Sequence, residues 1–170
     1  HVLGQQCMFA QLLDDERQIL NVDQWDGYPH SRQAVLDQLI AERIDDTVIL
    51  TGDIHSAWAL DVAPDPFSSA YDRATGRGSV AVELVTTSVT SPGPFGDAAD
   101  AIAREKDTLA RLPHVQWLNF RDRGYLLLDL DAERARAEWW VVDTIAERSA
   151  GERLSAALST ERGRNHLVPA

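Results

Sequence analysis

Residues 47–58, TVILTGDIHSAW, decide how the rest of the chain is read. Thr47–Leu50 is a short apolar run of the kind that forms a strand in a sheet covered on both faces. It runs directly into Gly52, Asp53 and His55. In open α/β sheets, ligands collect beyond the carboxyl ends of the strands. With an extended backbone, positions i and i+2 point the same way, so Asp53 and His55 would address one site. A carboxylate oxygen and an imidazole nitrogen suit Fe, Mn or Zn, whereas carboxylates alone suit Ca²⁺. The same tetrapeptide also reads as a turn whose aspartate caps the following segment. Local pattern leaves both readings open.

Working outward, Val2–Ala10 reads as a strand, followed by a long connection over residues 11–28. Pro29 suits the first turn of a helix, where its missing N–H costs nothing. Val35, Leu36, Leu39 and Ile40 give that helix an apolar face, ending near Ile44. Residues 59–78, with Pro64, Pro66, Gly76 and Gly78, read as a second long loop. The β-branched run SVAVELVTTSVT (79–90) follows as a strand, stopped by SPGPFGD (91–97). Asp97 is placed to cap a helix over 98–112, with Ile102 and Leu109 facing inward.

VQWLNFRD (115–122), GYLLLDLD (124–131) and RAEWWVVDTI (136–145) read as three closing strands. Gly124 suggests a hairpin between the first two, and LDAERA (130–135) a tight connection before the third. Strands interleaved with helices, then consecutive strands, imply a layered α/β sandwich with mixed sheets. The expected division is a domain over 1–145 and a polar tail or helix over 146–170.

Of the 170 residues, 44% are apolar and 25% charged, as in a folded soluble domain. A net charge of −11 without a basic stripe argues against a nucleic-acid-binding surface. The single cysteine, Cys7, excludes an internal disulfide. No apolar run approaches the ~20 residues that cross a bilayer. The opening HVLGQQCMFA has no initiator methionine and begins on strand-like residues, so a piece of a longer protein is expected. G-x-S-x-G, Walker and dinucleotide motifs are absent, as is a paired-cysteine zinc motif.

A second polar cluster, NVDQWDGYPHSR (21–32), places Asp23, Asp26, Tyr28, His30 and Arg32 at a loop entering a helix. Its carboxylates could ligate a metal, and Arg32 could pair with phosphate or carboxylate oxygens. Equally, Asp26 could cap turn amides while Trp25 packs on the core. Ser88, Thr90 and Ser91 in TTSVTSPG (86–93) could meet a ligand, although hydroxyls after a strand more often satisfy nearby backbone. His1, His30, His114 and His166 are scattered and read as structural. Trp117, Trp139 and Trp140 read as packing within the sheets.

In this order LGQQCMFA, NVDQWDGYPHSR, VILTGDIHSAWALD, VELVTTSVTSPG and WLNFRDRGYLLLDLDAERARAEWWVVDT resemble the C-terminal half of the PhoD-like alkaline phosphatases. These belong to the calcineurin-like metallophosphoesterases, and the resemblance spans residues 2 to about 145. It implies part of a four-layer α/β/β/α metallophosphoesterase sandwich with mixed sheets. The implied activity is a metal-dependent phosphatase or phosphodiesterase acting on phosphate esters, with Ca²⁺ and Fe³⁺ the expected metals and other Fe, Mn or Zn combinations allowed. By motif match, Asp53 and His55 would be metal ligands. Asp26 would be a catalytic or site-shaping carboxylate, and Arg32 a phosphate-facing or supporting residue, with Asp23 and Tyr28 less firmly placed.

The resemblance also implies export to the periplasm, the cell wall or the medium, although no export signal lies in these residues. The family's N-terminal half, with further Asp, Asn, Tyr and Cys ligands, has no counterpart here, and Cys7 does not match the metal-binding cysteine. The missing half is therefore the expected partner. The isolated chain is expected to be inactive and to expose unpaired strand edges. The rival reading is a non-catalytic remnant or interaction module of the same fold that binds no metal.

Overall fold

In the computed structural model, which describes residues 1–14, 16–148 and 151–170, Val48–Thr51 is a strand with a parallel neighbour on each side. Five strands, β1 (Val2–Gly4), β2 (Val48–Thr51), β3 (Ala57–Val62), β4 (Ala81–Val85) and β5 (Val115–Asn119), form one mixed sheet ordered β1-β2-β4-β3-β5. The β1–β2 and β2–β4 pairs are parallel, and β3 is antiparallel to both β4 and β5. A second sheet holds β6 (Gly124–Leu130), β7 (Arg134–Val142), β8 (Glu152–Glu161) and β9 (Val168–Pro169), all antiparallel.

Two-residue alternation assigns each side chain of the first sheet to one of two cores. Ile49, Trp58, Leu60, Val62, Ala81 and Val85 face a core shared with helices α1 (Pro29–Ala41) and α2 (Ala98–Arg111). Val48, Ala57, Ala59, Val82 and Leu84 face the second sheet through Ala135, Ala137, Trp139 and Leu158. The layers described are thus helices, sheet, sheet, an α/β sandwich in which Trp139 bridges the sheets. Its ring stacks 4.9 Å from Trp117, and its indole N–H donates to the Val85 carbonyl at 2.9 Å. The far face of the second sheet carries exposed Tyr125, Leu127 and Leu154.

Several expectations change. Residues 59–78 are not one loop, because β3 occupies 57–62. Its Asp61 looks like a loop residue but is buried in a prepared network. Gly124 does not turn a hairpin, since β5 and β6 belong to different sheets. It is glycine because an added Cβ would lie 1.9 Å from the Trp140 carbonyl oxygen. The segment after Ile145 is neither tail nor helix where it is described: β8 runs antiparallel to β7 and buries Leu158 and Thr160. The cap on α2 is as expected, the Asp97 carboxylate accepting from the Asp100 amide at 2.8 Å. Ile102, however, is exposed, and Ala101, Glu105 and Thr108 face inward instead.

The expected strand over Val2–Ala10 stops at Gly4. Met8, Phe9 and Ala10 are buried without a ladder, which would leave backbone groups stranded unless side chains reach them. They do. The Glu83 carboxylate on β4 accepts from the amides of Phe9 (2.9 Å) and Ala10 (2.7 Å) and from the Thr51 hydroxyl (2.6 Å). Arg32 on α1 donates to the Phe9 carbonyl at 2.8 Å, and Asp26 accepts from the Leu12 amide at 2.7 Å. His114 bonds the Gln11 carbonyl through Nε2 at 2.9 Å, and Arg111 reaches the Leu13 carbonyl at 3.2 Å. Burial pushes the Glu83 carboxyl up and the Arg32 guanidinium down, while their proximity favours both charges.

On the opposite face of the sheet, the fully buried Asp61 accepts from Tyr71, Gln116 and the Leu167 amide, and pairs with His166 at 2.7 Å. One buried carboxylate therefore ties down the N-terminal segment and the other the C-terminal one.

Glu83→Gln keeps the shape but presents an amide where three donors converge, and leaves the buried Arg32 with Asp26 as its neighbouring carboxylate. It should destabilise the fold by about 3–5 kcal/mol, read as a lower urea midpoint with an unchanged slope. The buried His114 is held neutral, burial pushing its pKa down from 6.5 to about 4. Between those values the unfolded chain binds the extra proton, so stability rises with pH and is lost as pH falls through the window. That loss, on the order of 3 kcal/mol, should largely disappear in His114→Gln when urea midpoints are compared across pH.

Candidate functional site

The parallel strands β1, β2 and β4, together with β5, all end at one edge of the first sheet. That edge gathers Gln5–Cys7, Gly52–Ser56, Thr86–Ser91 and Phe120–Arg123. Cross-bonds hold the four segments together. Gln5 donates to the Thr51 hydroxyl, the Gly52 amide to the Gln6 carbonyl at 3.2 Å, and the Thr86 amide to the Thr51 carbonyl at 3.0 Å. The Trp25 indole N–H donates to Gln5 at 3.1 Å, which brings the 21–32 cluster alongside.

At the centre of this edge the chain is not extended. Asp53 and His55 both adopt left-handed backbone conformations, φ 71° and 54°. The i, i+2 argument for their common direction therefore fails in its premise, and a different device exposes both. The Ile54 amide closes a tight turn onto the Gly52 carbonyl at 2.9 Å, and the Ile54 side chain packs into the helix-side core. Ser56, whose hydroxyl bonds the Ile54 carbonyl and accepts from Trp58, anchors the far end. With Ile54 pulled inward, the residues on either side stand in solvent. Positive φ in a residue other than glycine is uncommon, and such strain concentrates at functional sites.

His55 Nδ1 lies 3.0 Å from the Pro92 carbonyl oxygen. A carbonyl only accepts, so Nδ1 carries the proton and Nε2 keeps the lone pair that could bind a metal. An exposed carboxylate and an imidazole with a free Nε2 fit an Fe, Mn or Zn ion as two of its donors. Among the described residues, no group of three or more His, Cys, Asp and Glu side chains is gathered to hold a metal. Clefts of about 270 Å³, lined by Ile54, Trp58 and Phe95, and of about 390 Å³, lined by Pro92, Arg121 and Arg123, open on either side.

Asp26, expected as a catalytic or site-shaping carboxylate, and Arg32, expected as a phosphate-facing or supporting residue, lie in the interior at 6% and 5% exposure. The Arg32 hydrogen bonds go to the carbonyls of Phe9 and Ala63. Burial pushes the Asp26 carboxyl up, and its buried Oδ1 has no hydrogen-bond partner among the described residues. Asp23 and Tyr28 are exposed and, with Cys7, line a separate cleft of about 310 Å³. Sequence reading missed the roles of Glu83, Pro92 and Arg123. The one available signal was SPGPFGD, taken only as a strand stop.

Because glycine occupies positive φ freely, Asp53→Gly should escape the usual cost of about 0.5–1 kcal/mol for introducing glycine. Equilibrium urea unfolding should find this variant at least as stable as the parent chain, although the exposed carboxylate is gone. A clear loss of stability would mean that the Asp53 side chain supports the fold.

Comparison with known proteins agrees with this geometry. The model of the PhoD-like phosphatase family matches residues 1–139. Alkaline phosphatase D of Bacillus subtilis (strain 168) is 32% identical over 152 residues, spanning 88% of this chain and 24% of that protein. A solved structure described as "Structure of PhoD" superposes with a TM-score of 0.83 at 28% identity, covering 99% of this chain and 31% of that one. The chain therefore spans about a quarter to a third of the length of these relatives. No described helix is long and apolar enough to cross a membrane. With the family matched over residues 1–139 and the sandwich shared with a PhoD structure, this chain belongs to the PhoD-like phosphatase family.

Proposed function

We propose that this chain supplies one side of a metal-dependent phosphoric ester hydrolase site, with Asp53 and His55 as metal ligands. The observation carrying this is the strained G-D-I-H turn, which spends backbone energy to hold both side chains in solvent at the carboxyl edge of the sheet. Positive φ also occurs at Arg43 and Asp46 in the connection before β2; what sets this turn apart is that both of its left-handed residues carry metal-ligating side chains at the carboxyl edge of the sheet. Family membership supplies the reaction class, hydrolysis of phosphate esters.

Iron fits this donor pair, and the family resemblance adds calcium, whose further oxygen ligands would come from elsewhere; when bound, such metals would neutralise phosphoryl oxygens and activate an oxygen nucleophile. Asp53 contributes a hard carboxylate oxygen, and His55 contributes Nε2, its other nitrogen committed to Pro92. Asp26 and Arg32 act from below as positioning residues. Their bonds to Leu12 and Phe9 hold the buried segment that leads from β1 beneath the site.

The remaining ligands come from the part of the family's length that these residues do not span, so the functional partner of this chain is that upstream region. Phosphate monoesters and diesters are both within reach of the chemistry. The kinship with alkaline phosphatase D supports export to the periplasm, cell wall or medium.

The test is elemental analysis with p-nitrophenyl phosphate turnover, on this chain alone and with the upstream region supplied. The chain alone should show no turnover. The completed protein should bind metal and turn over substrate, and Asp53→Asn should lower that rate by at least roughly 100-fold, as loss of a main electrostatic contributor does. Unchanged turnover in Asp53→Asn, or no bound metal in the completed protein, ends the assignment.

A further inference from the structure

We infer that Arg123, separated from His55 by three strands in sequence order, is a positioning residue for it. Arg123 fixes the Ser91–Pro92 carbonyls so that the imidazole is held as the Nδ1–H tautomer with Nε2 turned outward. The consequence for metal binding rests on the proposed function above; the tautomer itself does not.

The Arg123 side chain is committed to backbone carbonyls. Its Nε donates to the Ser91 carbonyl at 2.7 Å, and its Nη1 donates to the carbonyls of Asp122 (2.9 Å) and Arg121 (3.3 Å). The Ser91 carbonyl takes a second donor, the Ser88 hydroxyl, at 2.8 Å. The Ser88 carbonyl in turn accepts from the Gly124 amide at 3.1 Å. The loop over 88–92 is therefore stitched to 121–124 from both ends, with the Ser91 carbonyl at its centre. The next carbonyl along the chain is the one His55 uses; the ring of Pro92 fixes φ between the two carbonyls, which leaves ψ of Pro92 as the one soft dihedral that orients the second.

Gly93 gives independent evidence of how closely the guanidinium is seated. A Cβ there would lie 2.1 Å from Arg123 Nη2 and 2.9 Å from the Phe120 carbonyl oxygen. No positive φ requires glycine at this position; an added Cβ would displace the end of the Arg123 side chain, and the Phe120 carbonyl oxygen limits the remaining space. In metal sites, the group that fixes the second nitrogen of a ligating histidine sets the ring orientation and raises the basicity of the ligating nitrogen. Here that group is a backbone carbonyl, and Arg123 holds it.

The experiment reads the ring directly. With ¹⁵N-labelled chain free of metal, long-range ¹H–¹⁵N correlation at a pH where His55 is neutral should identify the Nδ1–H tautomer. In Arg123→Gln the ring should move toward the Nε2–H form that a free imidazole prefers. In Arg121→Gln, which alters the neighbouring arginine paired with Glu105, it should not move. If Arg123→Gln fails to fold, Gly93→Ala displaces the guanidinium without removing it and should shift the tautomer in the same direction. A parent chain already in the Nε2–H form overturns the inference. So does a tautomer untouched in the folded variant, or one shifted equally by Arg121→Gln.

Mn²⁺ affinity, followed by paramagnetic broadening in the completed protein, should fall roughly 10–100-fold in Arg123→Gln. A tautomer that depends on Arg123, in a completed protein whose parent form binds no metal, supports the positioning role and removes the metal-site reading instead.

Discussion

The Glu83 carboxylate and the Arg32 guanidinium hold a stretch of backbone that has no strand to pair with. Met8, Phe9 and Ala10 run through the helix-side core after β1 has left the sheet. Irregular backbone is normally kept at the surface because its polar groups need water. Here Glu83 takes two consecutive amides and Arg32 takes a carbonyl, with Asp26 and His114 completing the set. Burial opposes charge on both groups, and the hydrogen bonds they make, with Asp26 and then Glu83 acting on Arg32, offset it. The arrangement joins β4, α1 and the N-terminal segment, so the helix layer and the sheet meet at these buried polar side chains.

The same principle works in mirror image at Asp61. Neighbouring strands β3 and β4 present their buried carboxylates to opposite faces of the sheet, because the alternation that buries Leu60 and Val82 also directs Asp61 and Glu83. Asp61 draws His166 and Leu167 into the space between the sheets and so closes the C-terminal end over it. Gly76 is needed there, since a Cβ would lie 2.3 Å from the His166 side chain. With both ends of the chain tied to the first sheet, the carboxyl edge becomes a rigid platform. Neighbouring anchors let Asp53 and His55 keep unfavourable dihedrals: the half-buried Ile54 packs against the core, Ser56 is bonded to Trp58, and Gly52 is bonded to Gln6.

How much could be read in advance differed by element, for physical reasons. Helix α1 was legible from Pro29 and from Val35, Leu36 and Leu39, although Ile40, read into the same face, is exposed and the helix stops at Ala41; α2 was legible from the Asp97 cap, because helix starts are local chemistry. The apolar β2 was legible from composition alone. β3 was missed because Asp61 and the prolines that follow resemble a loop, and the partners that make Asp61 a core residue lie 10, 55 and 105 positions away. β8 was missed because it is covered on one side only, so much of its length is polar or small. At the site, Asp53 and His55 were chosen from residue type and strand end, but the geometry assumed for them was wrong. Extended backbone was the default, and only the anchoring of Ile54 explains how the turn exposes both.

The sequence by itself determined where the strand ended, which polar residues followed it, and which family those motifs resembled. Each of these depends on residues close together in the chain. The tertiary structure alone decided that Asp26 and Arg32 lie inside, that Glu83 replaces a missing ladder, and that His55 leans on Pro92 under the grip of Arg123. A charged side chain reads the same in sequence whether water or buried backbone satisfies it. Only the fold brings the donors and acceptors together that settle which.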